Sequence, residues 1–274
     1  INKAYGIVAD NDNSGSSHIT LNSGSIIDLS SVTNALAGDL VGVYAKNTIL
    51  NSAGDITVGK NGIAVYAEDS NVTLTGGTIN ITGDNALGFY LKGSTDFSAA
   101  AGTTVNVSGQ GVTIFNLNTN PGMIFNNLMT INTSGSGTYT LGSIANGTYY
   151  YNDSVALSGN GAMISAKNSM VLFDGGANIS TTGNNNIGIY VDGIYTLPVL
   201  PGFTAGIEAE NRGTITLNNS SAGLYAIGGT SAYNNGGVIS VGNDSTAIYA
   251  TGSTSNALNS GTLIIGSDSQ GIYL

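Results

Sequence analysis

Cysteine and tryptophan are absent from the 274 residues, histidine occurs once (His18) and proline three times. The missing thiols exclude disulfides, thiolate zinc sites and cysteine nucleophiles. They also fit a bacterial exported protein better than a eukaryotic secreted scaffold, which at this size usually carries cross-links. One imidazole cannot build a multi-histidine metal site, and no Gly-x-Ser-x-Gly elbow accompanies it as a serine nucleophile would require. Charge is scarce as well, at 8% of residues, against about 25% in ordinary domains. With only six Lys and Arg and a net charge of −10, the chain lacks the cations needed to displace counterions from a phosphate backbone, so no nucleic-acid partner is expected. No apolar run approaches the roughly 18 residues of a membrane span. The chain opens on Ile1-Asn2-Lys3 without a signal peptide and stops at Leu274 inside a repeating pattern. Both ends therefore read as cuts, and a piece of a longer protein is expected.

What the chain does have is glycine, 41 of it, and 41% apolar residues, too many for a charged, core-less disordered polymer. A short phrase recurs: a small residue, an aliphatic, an aromatic, then Ala, Leu or Val. It reads Gly42-Val43-Tyr44-Ala45, Ala64-Val65-Tyr66-Ala67, Gly88-Phe89-Tyr90-Leu91 and Gly188-Ile189-Tyr190-Val191. It returns as Gly223-Leu224-Tyr225-Ala226, Ala247-Ile248-Tyr249-Ala250 and Gly271-Ile272-Tyr273-Leu274. The commonest step is about 24 residues, a solenoid period. Ahead of each phrase come two more alternating runs, such as Val72-Thr73-Leu74 and Gly77-Thr78-Ile79-Asn80-Ile81, with Gly, Asn, Ser or Asp between them. Period-2 runs punctuated by residues that tolerate left-handed backbone are strands and turns. The expected fold is thus all-β: a right-handed parallel β-helix with three short strands per rung, about 10 or 11 rungs in all, forming one segment over residues 1–274. Stability would come from stacking each rung on its neighbours, which explains how so few charges suffice.

Four stretches break the period and are expected to be insert loops: about 10–17, 30–40, 142–153 and 192–204. The last reads Gly193-Ile194-Tyr195-Thr196-Leu197-Pro198-Val199-Leu200-Pro201-Gly202-Phe203. Its Ile194, Tyr195, Leu197, Val199, Leu200 and Phe203 are too apolar for a free solvent loop, so it either binds a ligand or folds back over its own scaffold. Tyr149, Tyr150 and Tyr151 form a second candidate, an aromatic platform for carbohydrate.

The repeat resembles the passenger region of bacterial type V autotransporters, and among them the large fusobacterial outer-membrane adhesins. The resemblance rests on runs such as Asn235-Gly236-Gly237-Val238-Ile239-Ser240-Val241 followed by Ala247-Ile248-Tyr249-Ala250, and Gly261-Thr262-Leu263-Ile264-Ile265 followed by Gly271-Ile272-Tyr273-Leu274. It covers nearly the whole chain and is weakest from Gly142 to Asp153. It implies exposure on the bacterial surface, a C-terminal outer-membrane barrel outside this segment, and partners that are host receptor proteins (immune receptors among them), glycans or other bacteria. No ligand residue of the family falls on a matching motif.

Catalysis is tested against the carboxylates. Glycoside hydrolysis needs two facing each other, and the candidates are Asp55, Asp84, Asp174, Glu208 and Glu210. Most sit where Asp replaces Asn in a turn, and Glu208-Ala209-Glu210 reads as an acidic surface spot beside Arg212. No enzyme activity and no cofactor are expected. Asp10-Asn11-Asp12-Asn13-Ser14-Gly15 matches the front of a calcium loop, but Leu21 stands where its bidentate Glu should be. Asp10, Asp12 and Ser14 are therefore a weak calcium candidate. The repeated tyrosines are expected outside, in a column that either stacks rung on rung or grips sugar rings. The readings in play are a surface adhesin segment, an inert stalk of such an adhesin, and a polysaccharide-binding or -degrading β-helix of the tailspike or pectate-lyase kind.

Overall fold

The computed structural model describes residues 4–12, 17–32, 36–117, 122–125, 129–134, 138–196 and 201–274. All described elements are strands, and every strand pairing is parallel, in stacked coils that make a β-solenoid of about nine turns. By contact the chain forms two compact units, Ile1–Asn120 with Asn127–Tyr139, and Pro121–Asn126 with Thr140–Leu274.

Each coil crosses three faces. In the first unit the tyrosine phrase supplies the first face, in Ala4–Asp10, Leu40–Lys46, Ile63–Glu68, Leu87–Lys92 and Val112–Leu117. The second face follows in Ser17–Leu21, Thr48–Ser52, Asn71–Leu74 and Asp96–Ala99, and the third in strands such as Asp55–Val58, Thr78–Ile81 and Thr104–Val107. The second unit repeats the scheme: Ile187–Asp192, Ala222–Ile227 and Thr246–Thr251 lie on the tyrosine face, Met170–Phe173, Ala209–Asn211 and Ser231–Asn234 on the second, and Asn178–Thr181, Thr214–Leu217 and Val238–Val241 on the third. Register follows the sequence phrase, since Tyr44 lies beside Tyr66 and Tyr66 beside Tyr90, then Tyr190 beside Tyr225 and Tyr225 beside Tyr249.

The small residue that opens each phrase has a packing cause. Along Leu87–Lys92 the burial runs partly exposed, buried, buried, partly exposed, so two consecutive residues turn inward before the tyrosine turns out. The strand there closes on the next coil, and a Cβ on Gly88 would sit 2.6 Å from the carbonyl oxygen of Ile114. Inside, aliphatic columns such as Ile56–Ile79–Val105 are sealed from water. At the corners the backbone takes left-handed φ at Asn47, Asp69, Asn85, Asn185, Ser220 and Asp244, among others. Asn and Asp tolerate that conformation, and each of these residues sends its N–H to a carbonyl of the next coil, as Asn47 does to Glu68 at 3.0 Å. Buried hydroxyls complete the turns: Ser221 N–H donates to Ser245 Oγ and Ser245 N–H to Ser269 Oγ, both at 3.0 Å.

One expected insert is not an insert. Residues 142–153 belong to ordinary strands, Thr138–Ala145 on the tyrosine face and Thr148–Tyr151 on the second. The phrase is disguised because Ser143 holds the outward tyrosine position, while the aromatics have moved to the next strand. The inserts expected at about 10–17 and 30–40 lie partly outside the described residues.

Candidate functional site

Tyr149 and Tyr151 point into the core and are almost wholly buried. Alternation along Thr148–Tyr151 sends both inward, where Tyr149 aligns with Val171 and Tyr151 with Phe173. Burial pushes both phenols far above their ordinary range. Only Tyr150 faces out, and its hydroxyl donates to Asp174 Oδ2, which raises its pKa. The expected aromatic platform is therefore corrected: two of its three rings fill the solenoid.

The insert after Asp192 is anchored to the scaffold. Thr204 N–H and Thr204 Oγ1 donate to the two carboxylate oxygens of Glu210, both at 3.0 Å. Arg212 Nη2 lies 2.7 Å from Glu210 Oε1 and also donates to the Gly202 carbonyl at 2.7 Å. Asn235 Nδ2 adds a further bond to Glu210 at 2.7 Å. Glu210 lies beside Leu172 in register, and both are fully buried although the inward places on these strands belong to Val171 and Ala209. Residues 202–204 thus lie against the second face. Glu208 is buried too, accepting the Ser231 N–H at 2.8 Å, so the expected acidic surface spot is an internal clamp. Of the six apolar candidates in the insert, Ile194 is half exposed, Tyr195 and Phe203 are partly exposed, and Leu197, Val199 and Leu200 lie outside the described residues.

The remaining carboxylates raised for catalysis are acceptors as well: Asp55 takes the Thr78 N–H at 2.8 Å, and Asp84 the Gln110 N–H at 2.9 Å. Asp10 and Asp12 face an ammonium group, with Lys46 Nζ at 3.4 and 2.5 Å, and the bond to Lys46 holds Asp12 below the usual carboxylate range. Ser14, the third calcium candidate, lies outside the described residues.

The tyrosines do stand outward in stacks. Tyr44–Tyr66 and Tyr66–Tyr90 rings lie 4.8 and 5.0 Å apart, within 12° of parallel. Tyr190, Tyr225, Tyr249 and Tyr273 stack at 5.7, 4.5 and 4.9 Å. Within a column the ring faces cover one another, so between its end rings a column offers outward ring edges and hydroxyls rather than faces for sugar stacking. Burial and the Glu68 hydrogen bond raise the Tyr66 pKa, and burial raises that of Tyr225.

Sequence reasoning did not place an asparagine ladder inside the solenoid, and the structure has one there. Asn211 Nδ2 donates to Asn234 Oδ1 at 2.8 Å and Asn234 Nδ2 to Asn259 Oδ1 at 2.9 Å, all on inward positions of the second face. Its signal is an Asn two or three residues ahead of a Gly (Asn211 and Gly213, Asn234 and Gly237, Asn259 and Gly261), and each amide also donates to that Gly carbonyl.

Three parallel faces wound coil on coil, with outward side chains in columns and carboxylates consumed as acceptors, define a β-solenoid of the pectate lyase-like class. The chain belongs to the BigA third pectate lyase-like domain family, whose sequence model matches residues 88–271, about two thirds of its length. That membership places it among bacterial surface-exposed, adhesin-like β-helices. No curated protein matches the chain significantly, and neither does any solved structure.

Proposed function

We propose that this chain is a passenger segment of a bacterial autotransporter adhesin, akin to the large fusobacterial outer-membrane adhesins, that attaches the cell to host surfaces or partner bacteria and performs no catalysis. The observation that carries this reading is the division of labour among side chains. Outward residues form columns repeated from coil to coil, a display surface, while Asp55, Asp84, Asp174, Glu208 and Glu210 are each engaged in bonds that hold the scaffold. A carboxylate pair fixed in such bonds is poorly placed to exchange protons with a substrate. Membership of an adhesin-like surface family supports the same reading.

The test is binding of the labelled chain to host epithelial cells, immune cells and partner bacteria. Saturable binding to one of them is expected, and none to any of the three would overturn the reading. The family's pectate lyase-like description keeps a polysaccharide-cleaving alternative in view. Incubation with polygalacturonate, followed by the absorbance of unsaturated products, should show no turnover above buffer.

A further inference from the structure

In the second unit a groove runs beside the tyrosine column, at the corner where the third face turns onto the tyrosine face. Ile187, Ala222 and Thr246, neighbours in register, form its floor. Tyr225 forms one wall, and Asn185, Ser220 and Asp244 the other, one from each of three successive coils. These three residues have left-handed φ of 57°, 53° and 53°, and their side chains are exposed. Their backbone N–H groups are bonded to the next coil, but the structure gives their side chains no hydrogen bond to any described residue.

A groove of the first unit lies at another corner, where the tyrosine face turns onto the second. Asp69 and Ser70 line it, yet Asp69 Oδ1 accepts the Ser94 N–H at 2.9 Å and Ser70 Oγ the Thr48 N–H at 3.1 Å. There the left-handed Asp69 is tied to the scaffold, whereas the side chains of Asn185, Ser220 and Asp244 are open; Ser221, like Ser70, is a scaffold acceptor, taking the Asn186 N–H at 3.1 Å.

We propose that the Asn185–Ser220–Asp244 groove binds a neutral glycan chain. This rests on the adhesin reading and names a ligand class and a place for it. The groove offers an amide, a hydroxyl, a carboxylate, the Thr246 hydroxyl and the edge of a tyrosine ring, donors and acceptors mixed along an apolar floor. Repetition from coil to coil suits a polymer with a repeating hydroxyl pattern. No Lys or Arg lines the groove and Asp244 does, so uronate, sialate, sulfate and phosphate groups are disfavoured by charge. A peptide is a poor occupant, because the flanking strands are paired with their neighbours in the sheet and present no edge for strand addition.

The experiment is affinity electrophoresis of the whole chain through gels containing laminarin, galactomannan or polygalacturonate. It uses the parent sequence, a triple variant (Asn185→Gly, Ser220→Gly, Asp244→Gly) and a control, Asn47→Gly, at a corner of the first unit. Glycine keeps the left-handed backbone while removing the side chain, and circular dichroism with a thermal midpoint checks folding. Retardation by a neutral polysaccharide, weakened at least tenfold in the triple variant and unchanged in the control, is expected. Equal retardation of parent and triple variant would overturn the groove and leave the adhesin reading standing. So would retardation by polygalacturonate alone, or cell binding that survives glycosidase treatment with no retardation in any gel. A parent chain that binds neither cells nor any of the polysaccharides would sink the two readings together.

Discussion

The two units solve one packing problem with different chemistry. In the first, the core gathers Phe89, Phe97 and Phe115 within 5.4 Å of one another, and charges flank the outer tyrosines, with Lys92 2.9 Å from Glu68. In the second, asparagines ladder through the interior, and the outward places beside Tyr225 and Tyr249 belong to Ile227 and Thr251. Its ionic clamp joins the buried Glu210 to the partly exposed Arg212 on another face and serves the insert. The difference teaches that the coil fixes the backbone path while each column of side chains varies almost independently. A column is satisfied whenever neighbours one coil apart suit each other, by ring, amide or charge.

That contrast gives five expectations. Phe89→Ala should cost the first unit about 3–5 kcal/mol, the usual range for emptying a buried aromatic site. Glu210→Ala should cost the second about as much, roughly 3–5 kcal/mol, because Arg212 and the Thr204 groups lose a buried partner. Hydrogen exchange should place each loss in its own unit; protection lost equally in both would break the comparison. Next comes Asn234→Ala, which leaves the amides of Asn211 and Asn259 facing a gap and should lower stability by about 1–3 kcal/mol in urea unfolding. Gly183→Ala should follow at about 1–3 kcal/mol, since a Cβ there would run into the Gly159 backbone, and a neutral result would show that the corner can yield.

The smallest effect is a pH dependence. The Lys92 hydrogen bond lowers the Glu68 pKa from 4.5, so the pair's contribution is present above that value and fades as acid protonates the folded carboxylate. For a pair this open to solvent the effect is small. Lys92→Ala should flatten that part of the stability profile between about pH 5 and 3, and an unchanged profile would remove the pair from the account.

Much of this architecture was legible because a solenoid writes its register into the chain. Tyr44, Tyr66 and Tyr90 recur at the spacing that makes them neighbours, and the outward column follows from alternation. The coil at residues 142–153 escaped because Ser143 and the core-facing Tyr149 and Tyr151 exchange the usual places of polar and aromatic residues. Glu208 and Glu210 misled for a related reason: a charge on an outward position reads as surface until something covers it, and the cover here comes from an insert whose path no periodicity specifies. The Asn185, Ser220 and Asp244 corner was visible only as turn residues. That their side chains stay unbonded while those of Asp69 and Ser70 do not is a matter of three-dimensional neighbours.

The inter-coil bonds also have a mechanical reading. Each coil holds mainly to the one before and the one after, as Tyr249 does to Tyr225 and Tyr273. A pull on the chain ends therefore loads the outermost coil first and peels it before the next one bears the force. Every coil released frees about 24 residues, on the order of 80 Å of slack when drawn out. A protein tethered to a cell in moving fluid would then lengthen in steps of that size under a sudden tug, shedding tension while its remaining coils keep their surface intact.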